Sequence, residues 1–346
     1  MTTHFPPPGL QGWRSVVPQP VHPQTDDGTV TTRLLREDMT LPLVIEPAVA
    51  DLDLAGWVRL HRAFVDQCLA RHGALLWRGF GIASIPRFEE LSLAICAELY
   101  DENGEHEIVS GNVAVPVFYP KERQLLWHNE NSFNYAWPRR ILFCCAEPAA
   151  RGGETPVVDS RAVYERLPDR LRRRFAEKGI MYQRNYGSGA GLDWRVVFRT
   201  DRREEVEEKC RASRTAFEWQ PDDCLRTTAV RPAVIPHPVT GELSWFNQAQ
   251  HWHISCLDAP TREALLEIFD EADLPRNCYL GDGSPIAGEE METILAVYRE
   301  LEVSFPWEKG DVMVVDNVLA AHGRNPFEGS RKILVTMGDM MSFDEI

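Results

Sequence analysis

From about residue 108 the chain breaks into short apolar runs bounded by Gly, Pro and Asp, and this rhythm excludes most folds open to 346 residues. Ile141-Leu142-Phe143-Cys144-Cys145-Ala146 has the length of a buried strand, and Gly152-Gly153-Glu154-Thr155-Pro156-Val157-Val158-Asp159 reads as a turn entering another. Residues 311–315 and 331–338 predict two closing strands, and 40–45 an entering one. Helical spacing is concentrated near the start. Leu54, Trp57, Val58, His61, Val65, Cys68 and Leu69 fall on one face, with Asp51 or Asp53 near the cap and Gly73 past the end. A second helix over 84–99 opens with Ser84 and Pro86, and a strand over 74–80 lies between the two. Further helices are expected over 160–165, 168–178, 261–272 and 288–301.

Short strands closed by turns, with helices grouped early and inserted before the last strands, predict a mainly β fold with flanking helices: a double-stranded β-helix (jelly roll) core with helical insertions. The domain spans 36–346, with an inserted segment at about 160–300. Residues 1–35, which carry Pro6-Pro7-Pro8, Pro18, Pro20 and Pro23, form a Pro-rich arm, either a tail or a strap over the body. No G-x-G-x-x-G follows a strand, which excludes a dinucleotide fold. The Gly187–Gly191 run lacks the Lys-Ser/Thr ending of a phosphate loop and reads as a lid or plain loop.

A net charge of -15 argues against nucleic-acid and anionic-membrane partners, which select basic surfaces. No apolar window is long enough for a bilayer, and the first thirty residues lack a signal-peptide core, so a cytoplasmic location is expected. The eight Cys form no C-x-x-C pair and read as small buried hydrophobes. One dense basic cluster, Arg161, Arg166, Arg170, Arg172, Arg173 and Arg174, is either a solvated helix face or a docking patch for an acidic partner.

Chemistry concentrates at Trp127-His128-Asn129-Glu130. An imidazole and a carboxylate two residues apart share one side of an extended strand and can grip one metal ion. Their apolar neighbours Leu125, Leu126 and Phe133 make an unpaired carboxylate costly. His322, after a strongly apolar strand and before Gly323, would complete two His and one carboxylate, a facial triad that leaves positions open on octahedral iron. Arg331 and Thr155 offer a guanidinium fork and a hydroxyl for the far carboxylate of a dicarboxylic cosubstrate.

Trp127-His128-Asn129-Glu130-Asn131-Ser132, Glu147-Pro148-Ala149-Ala150-Arg151-Gly152-Gly153-Glu154-Thr155-Pro156, Phe305-Pro306-Trp307-Glu308-Lys309-Gly310-Asp311 and His322-Gly323-Arg324-Asn325-Pro326-Phe327-Glu328-Gly329-Ser330-Arg331 together resemble the TauD/TfdA superfamily of iron(II)/2-oxoglutarate oxygenases. The resemblance covers roughly 40–340 and is similar to the syringomycin-biosynthesis (SyrP-like) type, which hydroxylates amino-acid residues in nonribosomal peptide pathways. It implies that His128, Glu130 and His322 are the iron ligands. It makes Arg331 the partner of the 2-oxoglutarate distal carboxylate, assisted by Thr155, with O2 as the second cosubstrate. Related halogenases lose the carboxylate ligand to make room for chloride, so Glu130 speaks against halogenation.

The expected activity is hydroxylation of an unactivated carbon of an amino acid, free or delivered on a peptidyl carrier protein. A TauD-like dioxygenase of a small free acid, or a desaturase or cyclase, shares every catalytic residue. Asn131, beside the ligand pair, and Arg324, two residues after His322, are the substrate contacts best placed by sequence. Trp245-Phe246-Asn247-Gln248 lines the pocket or forms a core strand, and Arg184, Arg195 and Arg199 are further candidates for a substrate carboxylate.

Overall fold

The computed structural model describes residues 13–346 apart from 22, 24, 26, 101–106 and 188–190. Pro6-Pro7-Pro8 and most of the Gly187–Gly191 run therefore lie outside the described residues. Its frame is an eight-stranded sheet in the order Val30–Leu34, Leu43–Pro47, Ala74–Trp77, Val312–Asp316, Ala136–Glu147, Lys332–Ser342, Val113–Val115 and Glu107–Ser110. Only Leu43–Pro47 and Ala74–Trp77 pair in parallel. A parallel pair needs a crossover, and the helices Leu54–Leu60 and Arg62–His72 supply it.

Strand alternation sorts this sheet's side chains into two cores. Leu142, Cys144, Val312, Val314 and Leu334 face the early helices, whereas Ile141, Phe143, Cys145, Met313, Val315 and Val335 face inward with Val157, Ala320, Phe305 and Trp307. Val157 and Ala320 belong to the opposing three-stranded sheet, ordered Leu125–His128, Ala320–Arg324, Val157–Asp159. Two sheets packed over one core are the expected jelly roll.

The inserted segment builds its own layer. Its four-stranded sheet runs Ala216–Gln220, Cys224–Arg231, Ile180–Tyr186, Arg276–Leu280, all antiparallel. The helices Ser160–Arg166, Asp169–Lys178 and Gly288–Leu301 pack with it around Trp245, Phe175 and Tyr298.

Several expectations shift. The first helix breaks at His61, whose Nδ1 bonds the Trp57 carbonyl and whose Nε2 lies 3.0 Å from Asp27, so this imidazole is half-buried at a junction rather than in the core. The arm ends before residue 35: Val30–Leu34 is already the sheet's edge strand, and Arg14 exchanges backbone hydrogen bonds with Gly241 and Leu243. Thus the described part of the arm straps the body to the insertion. Among the described residues, no helix is long and apolar enough to cross a membrane.

Candidate metal and cosubstrate site

Antiparallel register sets His322 directly opposite His128 on one side and Val157 on the other. The strands approach closely because residue 323 is Gly; a Cβ there would stand 2.7 Å from the Leu125 carbonyl. The two imidazole rings lie 4.4 Å apart. Glu130 is not on the same strand as His128, which ends at His128 itself; it sits in the following turn. That turn still delivers the carboxylate, with Glu130 Oε2 at 3.6 Å from His128 Nε2 and 3.8 Å from His322 Nε2. One donor atom from each of the three residues falls within 4.8 Å of the others. Such separations exceed hydrogen-bond lengths and suit donors around a shared ion.

The turn is fixed by Asn317. Its Oδ1 accepts from the Glu130 backbone N–H at 2.6 Å, while its Nδ2 donates to the Glu130 and Pro138 carbonyls at 2.9 Å each. Asn129, fully buried, donates to the Asn317 carbonyl at 2.7 Å and to Ser160 Oγ at 3.2 Å. His128 Nδ1 donates to the Leu126 carbonyl at 2.9 Å, which leaves the Nε2 lone pair for a metal.

The insertion secures the same strand from behind. Gln248 Nε2 donates to the Asn129 carbonyl at 2.8 Å, Gln250 Nε2 to that of Trp127, and His251 Nε2 to that of Leu126 at 2.8 Å. Burial, with His128 beside it, lowers the His251 pKa to about 3 and keeps the ring neutral. These three positioning residues escape sequence reading, because nothing in the sequence says which carbonyl an amide will meet. Trp245 and Phe246 are core residues, packed on Phe175 and Trp137.

Arg331 directly precedes the strand Lys332–Ser342 of the eight-stranded sheet. Its Nε donates to the Gly153 carbonyl at 2.8 Å and its Nη2 to Thr155 Oγ1 at 3.2 Å, and Thr155 also accepts from Trp307 Nε1 at 3.2 Å. Gly153 adopts φ +75°, and a Cβ there would stand 3.0 Å from Arg331 Cδ, so this glycine makes room for the side chain. Among the described residues no carboxylate comes within ion-pair distance of Arg331, and burial lowers its pKa to about 10. A guanidinium held this way lacks a counter-charge that a ligand carboxylate would provide.

The two expected substrate contacts separate. Asn131, at φ +56°, lies on the wall of a cavity beside Glu130. Arg324 is not among the residues that line this cavity: its guanidinium donates to the carbonyls of Tyr119, Pro120 and Arg123 and stacks over Phe327. Arg195 is held by Asp193 and Asp223, Arg199 ends a short helix, and only Arg184 of that trio reaches the cavity. In the basic cluster, Arg161 pairs with Asp159 and Glu242, Arg166 with Glu300, Arg172 and Arg173 with Asp169, and Arg174 with Glu290. Of the six, only Arg170 has no such pair among the described residues.

The family model described as Taurine catabolism dioxygenase TauD, TfdA family matches residues 36–337. The chain belongs to that family. It is therefore a dioxygenase that uses iron(II), 2-oxoglutarate and O2. The chain is 36% identical over 278 residues to the dapdiamide synthesis protein DdaC of Enterobacter agglomerans, covering 80% of this chain and 84% of that protein. It is 27% identical over 323 residues to a clavaminate synthase-like protein of Arabidopsis thaliana, covering 87% and 94%. In structure it resembles PvcB of Pseudomonas aeruginosa, with a TM-score of 0.56 at 16% identity over 92% of this chain and 94% of that one.

Proposed function

We propose that this dioxygenase hydroxylates an unactivated carbon of an amino acid or aminoacyl group in a biosynthetic pathway, with His128, Glu130 and His322 as iron ligands and Arg331 with Thr155 holding 2-oxoglutarate. The observation that carries the site assignment is the convergence of the three donors within 4.8 Å, and Arg331 adds a guanidinium that no carboxylate of the described residues pairs. The donor set suits iron(II): two neutral imidazoles and one carboxylate leave coordination positions open for a keto acid and O2. The substrate class rests on the 36% identity to a protein named for dapdiamide synthesis.

When bound, iron and 2-oxoglutarate supply the oxidising power: O2 is divided between succinate and the product, with CO2 released. The chain's own residues bind and orient. Arg331 would hold the distal carboxylate of 2-oxoglutarate by charge-assisted hydrogen bonds. Thr155, itself held by Trp307, adds a hydroxyl and sets the guanidinium plane. Asn317 and the Gln248–His251 segment keep the His128–Glu130 turn rigid, so the metal geometry is prepared before ligands arrive. Phe143, 5.0 Å from the His322 ring, helps to exclude water.

The test is succinate formation by iron-loaded protein with 2-oxoglutarate across free and carrier-bound amino acids, together with product mass. Gain of one oxygen is expected. Loss of two hydrogens would redirect the reading to desaturation or cyclisation, and no succinate above background from iron-binding protein would remove it.

A further inference from the structure

One face of the inserted sheet forms the wall of a cavity of about 290 Å³. Alternation sends Tyr182, Arg184 and Tyr186 of one strand to this face, along with Thr227, Ala229 and Arg231 of its neighbour, and the register pairs Tyr182 with Ala229 and Arg184 with Thr227. The facing wall is the turn that carries Glu130, through Asn131, Phe133, Asn134 and Tyr135, together with Trp252. Phe133, Tyr182 and Trp252 pack ring on ring at 5.1 to 6.2 Å, which gives the cavity an aromatic end next to the triad's turn.

Among the described residues, the lining contains two arginines and no carboxylate. Arg231 is the deeper of the two, 1% exposed. Its Nη1 and Nη2 reach only neutral acceptors: the carbonyls of Ser213 at 2.9 Å, Val230 at 3.1 Å and Arg214 at 3.3 Å, and Thr215 Oγ1 at 3.3 Å. Its Nε has no hydrogen-bond partner among the described residues. Other buried guanidiniums are treated differently. Arg161 is paired with Asp159 and Glu242, and Arg140 with Asp66 and Asp339. Burial alone lowers the Arg161 pKa, and its two carboxylates more than reverse that; for Arg231 nothing does, and burial holds it down to about 10. A buried cation without its counter-ion is costly, and Arg231 lines a cavity that could admit an anion.

We propose that this cavity is the substrate chamber and that Arg231, with Arg184, binds a free carboxylate on a substrate whose apolar body lies against Phe133, Tyr182 and Trp252. The inference rests on the oxygenase reading above and narrows its substrate class to a small acid. The cavity lies just below the roughly 300–1,000 Å³ of drug-sized sites, which fits an amino-acid-sized molecule. A thioester link to a carrier consumes the carboxyl group, so a tethered substrate would have to carry a second one.

Phenylacetate and phenylacetamide have nearly the same shape and differ in charge, and their binding to the protein can be followed by calorimetry. Iron(II) and 2-oxoglutarate are added first, without O2, so that Arg331 is already occupied. The acid is expected to bind about tenfold or more tightly than the amide. Arg231→Gln should erase that preference and Arg231→Lys restore part of it. Because Arg231 also ties down Ser213 and Arg214, Arg184→Gln is measured alongside and should weaken the acid alone, by a few-fold. Equal affinities, no binding of the acid at millimolar concentration, or an acid preference that survives both Gln variants would overturn the proposal. The oxygenase reading fails separately, through absence of iron-dependent succinate formation in protein that still prefers the acid.

Discussion

Arg331 on the jelly roll and Arg231 on the inserted sheet share one electrostatic predicament, and their surroundings differ in how it is met. Arg331 stands just before the last long strand, framed by Gly153, Thr155 and Trp307. Arg231 sits at the floor of a cavity among backbone carbonyls, with aromatic walls around it. Arg161, equally buried, has two carboxylates and faces no cavity partner. The contrast teaches that burial of a guanidinium says little by itself. What separates structure from recognition is whether the counter-charge comes from the chain.

The most severe way to probe the jelly-roll side of this contrast is His322→Ala. It is expected to abolish both stoichiometric iron binding and turnover, read by metal analysis and succinate formation; wild-type activity would break the triad assignment. Asn317→Ala should come next. It strands the Glu130 N–H and the Pro138 carbonyl, and a loss of about 3 kcal/mol in denaturant unfolding is expected. Arg331→Ala sharpens the comparison directly: the 2-oxoglutarate requirement should rise about 10- to 100-fold, while the preference for acid over amide in the inserted-sheet cavity persists. If both fall together, the two arginines serve one site. The smallest effect is expected from Arg324→Ala. It should cost about 1 kcal/mol of stability by freeing three carbonyls and leave substrate KM within about twofold. A large KM change there would return Arg324 to the pocket.

The same contrast explains what could be read from the sequence. His128, Glu130, Thr155, His322 and Arg331 stand in compact motifs, each bounded by glycines or aromatics that the geometry requires. The helix Gly288–Leu301 has the bounds that its apolar spacing predicts. The insertion was less legible. In Cys224–Arg231 the buried positions are Leu225, Thr227, Ala229 and Arg231, so the alternation is present in burial but hidden in polarity. The helix Arg203–Ala212 buries only Val206 and Cys210, four residues apart, amid eight other residues that leave little apolar signal. Arg324 shows a related limit: a cation near a metal ligand suggests a substrate, and only the fold reveals the three carbonyls that it meets.

Asn317 ties residues 187 positions apart, and the metal donors on either side of it, Glu130 and His322, span the same closure. An ion held by both would therefore report on folding as well as on chemistry. Each ligand that prefers the closed arrangement adds RT ln(1 + [L]/Kd) to its stability, by mass action. Without iron, that closure would rest on the Asn317 amide, the strand pairing of His322 with His128 and the shared core. The chain's lifetime, and not only its activity, would follow the metal supply.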